Sequence, residues 1–338
     1  AGIKFSLTSK HVSHPTSDSF KRDLQKFLGV CRVVNGLRGV RLGAVGARPG
    51  AFNTVRYSEK ILERHGISVT TVDLSEIIGA ANKLDASAPS VVSKLKEITG
   101  YAPAPGVPND KLVQMAKMGV VLTDWMNANH LDATAIQCWT SVQANFGCNV
   151  CTLMSMMSER FMPSACEVDI AGAVGMLAMR YASGKPSALL DWNNNYGDDP
   201  DLCMMFHCAN LPKDVFADEV RMDYQEIIAG TVGKENTYGT VVGRMKPGAF
   251  TFARVSTDDA HGRVRAYFGE GQMQPQPVKT FGGYGVARIP ELQKLLRYIC
   301  EQGYEHHVAM NPAQICRSLD DAFRNYLGWT TYWHGTPR

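Results

Sequence analysis

No apolar run in this 338-residue chain approaches the roughly 18 residues that a membrane-spanning helix needs. The opening stretch AGIKFSLTSKHVSHPTSDSF has no apolar core of the kind a secretory signal carries. A dense basic stripe with interleaved aromatics is missing, and a net charge of +3 gives no argument for nucleic acid. Neither internal repeats nor low-complexity tracts stand out. The dinucleotide fingerprint G-x-G-x-x-G is absent as well, because the glycines of GAVGARPG (43–50) are spaced three and four apart. That turn is read as a tight strand-to-helix connection, with Arg48 able to reach into a cleft at the strand end. Zinc-knuckle pairs are lacking too. Cys148-Asn-Val-Cys151 has no second pair at matching spacing, and Cys203 and Cys208 do not make one. The nine cysteines are scattered, several in apolar segments, and fit buried thiols of a reduced, cytoplasmic compartment. The first residue is Ala, so the chain is expected to be a processed or truncated piece of something longer.

What is present is ordinary for a soluble globular protein: 45% hydrophobic and 20% charged residues, in a length that allows two domains with real cores. We expect a lead-in segment over 1–30, a central α/β domain over 31–183 and a β-rich domain over 184–338. GVRLGAVGA (39–47) and ISVTTVDL (67–74) read as strands. Residues 53–66 between them read as a helix capped by Asn53 and closed by Gly66. LSEIIGAANKL, VVSKLKEITGY and residues 111–130 have helical periodicity, and LDATAIQCW (131–139) closes with a buried strand. Such alternation predicts a doubly wound parallel sheet. Residues 226–289 are rich in Gly, Thr, Val and aromatics, with turn signals at 246–248, 258–259 and 269–271. They predict an antiparallel barrel or sandwich, followed by helices over 289–303 and 311–328.

The stretch from Ser164 to His207 organises the rest. Glu167 stands just ahead of AGAVGMLAMRYA, a helix pattern with small residues on its packing face. A carboxylate there could simply favour the helix N-terminus. Gly184 and Pro186 then break the chain, and Ala188-Leu189-Leu190 reads as a short strand ending in Asp191. Strand ends in α/β folds face the ligand crevice, so Asp191, with Trp192 and the asparagines that follow, makes a candidate site wall. Gln137 and Trp139, ending the strand AIQCW, face the same crevice on that reading. His207 lies in MMFHC, and His306-His307 near the C-terminus. Two acids with one or two histidines form a mixed oxygen and nitrogen set suited to Mn²⁺, Co²⁺, Fe²⁺ or Zn²⁺. Taken singly, His207 fits a satisfied core histidine better than a ligand, and the methionines of LMSMM (153–157) fit a helix core.

Five motifs in order, SACEVDIAGA, SALLDWNNNYGDD, FHCANLP, GTVGKENTYGT and YEHHVAMN, together resemble the L-fucose and L-arabinose isomerase superfamily, in its fucose isomerase-like branch. The resemblance runs over roughly residues 30–334. It implies a divalent ion, usually Mn²⁺ with Mg²⁺, Co²⁺ or Zn²⁺ as alternatives, held by Glu167, Asp191 and His307. His207 matches a further histidine ligand of the arabinose branch. Gln137 falls where the fucose branch contacts substrate, and Tyr267 is a looser match to a substrate-contacting tyrosine. The resemblance also implies a homo-oligomer, a trimer or hexamer. Relatives carry an N-terminal α/β domain that covers a neighbour's active site, and this chain is expected to lack it.

The function implied is a metal-dependent aldose–ketose isomerase on a free monosaccharide. A C–H beside a carbonyl is a weak acid, so the site must stabilise an enediolate, which a divalent cation does as a Lewis acid. Glu167 and Asp191 are expected to share the base and acid roles while touching the metal. Trp139, Asn193, Gln137, Tyr267 and His306 are expected to hold the sugar. A metal-assisted hydride shift is the other route. The substrate is fucose-like, arabinose-like or a sulfo-sugar, and Arg48 with the slight positive charge leans toward an anion. Two other readings are a catalytically silent sugar-binding module and a metal-dependent epimerase or lyase. No membrane partner is expected.

Overall fold

The computed structural model describes residues 2–208 and 210–335. The chain begins its regular structure where the Ser17 side chain accepts from the Phe20 N–H and opens α1 (Asp18–Leu37). There follow β1 (Val40–Val45), α2 (Glu59–Arg64), β2 (Ile67–Val72), α3 (Leu74–Lys83), α4 (Pro89–Tyr101) and α5 (Asn109–Ala128). Next come β3 (Ala133–Ile136), α6 (Ser141–Phe146), α7 (Cys151–Glu159), β4 (Ser164–Cys166) and α8 (Ile170–Ser183). The four strands form a wholly parallel sheet in the order β2-β1-β3-β4. Alternation along β1 sends Val40, Leu42 and Ala44 into one core and Val45 into another, so helices cover both faces. This is the predicted doubly wound layer. The helix expected over 53–66 is shorter, because Asn53–Val55 is a single 3₁₀ turn and Ser58, not Asn53, caps α2. The Asn53 amide oxygen is taken instead by Arg48 and Arg56.

The second half comprises β5 (Ala188–Asn195), β6 (Leu202–His207), β7 (Arg221–Tyr224), α9 (Glu226–Val232), β8 (Tyr238–Arg244), β9 (Gly248–Asp258), β10 (Arg263–Met273) and β11 (Gly283–Arg288). α10 (Leu292–Glu301), β12 (His307–Asn311), α11 (Cys316–Asp320) and β13 (Thr330–Trp333) complete it. Six strands close antiparallel in the order β10-β9-β12-β5-β6-β11, with β11 returning to β10; β8, β7 and β13 extend the sheet outside the ring. Closure removes the exposed edges that an open sheet of this size would leave. The turn expected at 269–271 does not form, since those residues lie inside β10. Their glycines serve close packing: a Cβ on Gly269 would sit 2.4 Å from the Phe252 ring, and one on Gly271 2.4 Å from Ile289 Cδ1. Likewise β5 does not stop at Asp191 but runs on to Asn195.

Helix α8 joins the two layers. Every residue from Ile170 to Met179 is buried. A Cβ on Gly175 would lie 3.6 Å from Ala309 Cβ of β12 and 3.8 Å from Ala253 O of β9, so the small residues let the helix rest on the barrel wall. The helix is thereby set against barrel strands β12 and β9.

Candidate active site

Three neighbouring barrel strands supply one wall. Asp191 of β5 lies directly opposite His307 of β12 and Phe206 of β6, with His207 one position further on. Cross-strand neighbours of this kind are within side-chain reach of each other. Glu167 arrives from the other layer, just beyond the carboxyl end of β4. There the backbone turns through positive φ at two successive residues, Glu167 (61°) and Val168 (57°). Left-handed backbone at a glutamate and a β-branched valine is strained, and such strain concentrates at functional sites. Helix α8 is not capped by Glu167. Asp169 does that, accepting from the Gly172 N–H at 2.8 Å, so the Glu167 carboxylate is free to face the barrel.

The donors converge. His307 Nε2 is 3.2 Å from His207 Nε2, 3.5 Å from Glu167 Oε2 and 3.7 Å from Asp191 Oδ1. His306 Nε2 is 3.3 Å from Glu167 Oε2 and 3.8 Å from Asp191 Oδ1. Two overlapping triplets, Glu167 with His306 and His307 and Asp191 with His207 and His307, each keep one ligand atom per residue within 4.8 Å of the others. Glu167 Oε2 is buried without a hydrogen-bond partner. Burial raises its carboxyl pKa above the usual value, against the opposing pull of His306 and His207.

A buried ionic cluster holds His307 in place. Its Nδ1 is 2.8 Å from Asp169 Oδ2, and Asp169 also accepts from Arg254, whose Nε donates to Glu305 at 3.0 Å. Burial opposes the Asp169 charge, but Arg254 and His307 outweigh it and hold the carboxyl well below its ordinary range. An ionised Asp169 keeps the proton on His307 Nδ1, which leaves the Nε2 lone pair aimed into the site. Desolvation lowers the His307 pKa and favours the neutral ring. Burial also works against charge on His207, yet Cys208, Asp191 and Glu167 outweigh it and raise that pKa to about 10. A proton on His207 Nε2 can therefore bridge to His307, and a cation can occupy the same meeting point. A buried carboxylate oxygen with no aligned hydrogen bond, a second carboxylate and two facing imidazole nitrogens fit a divalent ion of intermediate hardness.

The cluster opens into a cavity of about 480 Å³ lined by Phe52, Trp139, Trp192, Asn193 and Ile227 among others. That volume suits a small-molecule ligand. The Phe52 ring stacks on His306 at 5.9 Å and meets Trp139 edge-on at 5.5 Å, while His306 Nδ1 is 2.6 Å from Thr54 Oγ1. Trp139, Asn193 and His306 thus share the cavity with Glu167, Asp191 and His207, while His307 is fully buried behind them. Three expected sugar contacts lie elsewhere. Gln137 turns its amide oxygen to the Ala47 N–H at 2.9 Å. Arg48 is taken by Asn53 and the Pro49 carbonyl. Tyr267 is buried in the barrel, accepting from Trp192 Nε1 at 2.9 Å, one layer behind the cavity wall. Asp169, Arg254, Phe52 and Thr54 were not singled out from sequence, although an Arg inside the apolar run FTFARVS is a visible signal of a buried partner.

A parallel α/β layer whose strand ends meet a closed antiparallel barrel defines the class. Within it, residues 205–334 match the L-fucose isomerase C-terminal domain family. Residues 1–38 match the fucose/sulfoquinovose isomerase N-terminal domain family, so that domain family is represented here by the segment expected to be a mere lead-in. Curated relatives are named sulfoquinovose isomerase. The protein from Clostridium sp. (strain MSTE9) is 24% identical over 176 residues, 51% of this chain and 39% of the relative. The one from Alkalicoccus urumqiensis is 23% identical over 326 residues, 92% of this chain and 71% of the relative. The one from Priestia aryabhattai is 24% identical over 200 residues, 58% of this chain and 44% of the relative. In two of these three the chain spans less than half of the relative's length. The matches bear out the resemblance to the fucose isomerase-like family.

Proposed function

We propose that this chain works as a divalent-metal-dependent aldose–ketose isomerase on a free monosaccharide. The observation that carries this reading is the convergence of Glu167 Oε2, Asp191 Oδ1, His207 Nε2 and His307 Nε2 at one end of a sugar-sized cavity, with Glu167 Oε2 lacking a hydrogen bond. These four residues would hold the ion, and mixed oxygen and nitrogen donors favour Mn²⁺, with Co²⁺ or Zn²⁺ as substitutes and Mg²⁺ less suited. The bound cation would supply Lewis-acid polarisation of the sugar carbonyl.

The chain's own residues handle the proton and the pose. Glu167, its pKa raised by burial, is matched to taking a proton from carbon and returning it to the neighbouring carbon. Asp191 provides the second carboxylate across the site. His306, close to both acids and tied to Thr54, is in position to hold a sugar hydroxyl. Trp139 and Phe52 offer apolar faces to sugar C–H groups, and Asn193 offers amide hydrogen bonds.

The names of the matched relatives support a sulfonated hexose as substrate. A neutral deoxy-sugar or pentose is the second reading, favoured because no Lys or Arg stands among the described residues on the cavity wall. A panel of sulfoquinovose, fucose and arabinose, followed by NMR with Mn²⁺, separates the two. Ketose should appear from one of them, vanish with a chelator, return with Mn²⁺, and fall roughly 10²–10⁴-fold in Glu167→Gln. Deuterium at C2 washing into solvent marks the enediol route; retention marks a hydride shift. Sugar binding with no interconversion would identify a silent binding module instead.

A further inference from the structure

Arg48 and Arg56, in the loop between β1 and α2, bring their side chains together on one atom. Arg48 Nη1 donates to Asn53 Oδ1 at 3.1 Å, and Arg56 Nη2 donates to the same oxygen at 3.3 Å. Arg48 Nη1 is also 3.3 Å from the Pro49 carbonyl oxygen. Among the described residues neither guanidinium is paired with a carboxylate, whereas Arg160, Arg244, Arg263 and Arg288 each are. Two full positive charges thus meet on a neutral amide oxygen, which offers only the partial charge of a dipole. Guanidinium stays protonated in proteins, so loss of a proton cannot relieve the repulsion. An anion can. Asn53 sits between Phe52, which lines the cavity, and Thr54, whose Oγ1 is 2.6 Å from Nδ1 of the cavity-lining His306. Adjacent Cα atoms are about 3.8 Å apart, so the shared acceptor belongs to the cavity rim.

We propose that Arg48 and Arg56, with the Asn53 side chain, form an oxyanion-binding site at the cavity rim that takes the sulfonate end of a sulfonated sugar. The oxygens of a sulfonate give each guanidinium its own acceptor in place of the single oxygen they now share. They also match the forked N–H geometry of arginine. Asn53 Nδ2, which donates to nothing among the described residues, adds a third kind of donor. The cavity wall itself carries no cationic side chain, so recognition of charge has to come from beside it. A sugar whose first two carbons stand at the carboxylate–imidazole cluster leaves its other end free for the rim. Arg56 and Asn53 are exposed and Arg48 is half-buried, so a ligand can reach the pair, and its grip weakens as salt rises. Free sulfate or phosphate offers the same chemistry. The anion site stands on the loop geometry, and its assignment to the substrate rests on the isomerase reading.

The test is modification of the full chain by phenylglyoxal in the presence of Mn²⁺, read arginine by arginine by peptide mass spectrometry. Sulfoquinovose should slow the labelling of Arg48 and Arg56 by about fivefold or more, and fucose should leave it unchanged. Inorganic sulfate should protect the same two residues, but only at about tenfold higher concentration. Arg317, exposed and outside the cavity, should label at a constant rate throughout. In the double variant Arg48→Gln, Arg56→Gln, with an unaltered circular dichroism spectrum, the binding preference for sulfoquinovose over fucose should fall by about tenfold or more. Sulfate that protects as well as sulfoquinovose would make this a free-anion site and overturn its assignment to the substrate. Protection by neither, or an equal loss of both sugars in the double variant, would overturn the site itself. Protection by sulfoquinovose without ketose formation would leave the anion site standing and count against the isomerase reading alone.

Discussion

Asp169 accepts four hydrogen bonds while fully buried, from Gly172 N, from Nη1 and Nη2 of Arg254 and from His307 Nδ1. Every direction around its carboxylate is used. That one residue caps α8, neutralises a buried guanidinium and fixes the tautomer of His307. Asp169→Asn should leave Arg254 undercompensated in the barrel wall. We expect a loss of about 3–5 kcal/mol, read as a fall in the urea midpoint at unchanged slope. Stability within 1 kcal/mol of the wild type would mean that Glu305 alone satisfies Arg254. His207 and Cys208 show the same economy at smaller scale, one imidazole facing His307 on one nitrogen and a thiol on the other.

At the scale of the element, α8 decides how the two layers meet, and its glycines are not equivalent. A Cβ on Gly172 would stand 2.4 Å from Asp169 Oδ2 and 3.1 Å from Arg254 Nη1, inside the ionic cluster. A Cβ on Gly175 would meet nothing closer than 3.6 Å. Gly172→Ala should destabilise by about 1–3 kcal/mol through overpacking. Gly175→Ala should be neutral or stabilising by up to about 1 kcal/mol, because alanine is the better helix former and ordinary contact is available. Thermal unfolding of the two variants side by side checks the pair. Equal effects would mean that the helix start does not depend on the clearance around Asp169.

For the whole molecule, the donors that converge belong to both layers: Glu167 follows the parallel sheet, while Asp191, His207 and His307 belong to the barrel. An ion held by all four would bind the folded arrangement and not the unfolded chain. Mn²⁺ should therefore raise the melting temperature in a concentration-dependent way, by an amount equivalent to about 2.7 kcal/mol at a hundredfold excess over Kd. The rise should be much smaller in Asp191→Asn, whose side chain is partly exposed and tolerates the change. A melting temperature indifferent to Mn²⁺ would remove the shared-ion reading. No helix among the described residues is long and apolar enough to cross a membrane.

Much of this was legible in the sequence. Alternating β-branched and amphipathic segments determined the parallel layer, because a strand buried on both faces and a helix with one apolar stripe have few ways to satisfy each other. Gly-rich, aromatic short strands likewise determined a β-rich second half. The motifs around Glu167, Asp191, His207 and His306-His307 carried the family resemblance. What the sequence left open was distance. Tyr267, Gln137 and Arg48 have the right chemistry for sugar, yet packing and local hydrogen bonds turn them away from the cavity. Asp169 sits two residues from Glu167, and only the closed barrel, which brings Arg254 and His307 against it, gives it a role. Local pattern fixes elements through short-range periodicity. Tertiary closure alone decides which of the many polar side chains share a point in space, since partners at the site lie as far as 252 positions apart along the chain.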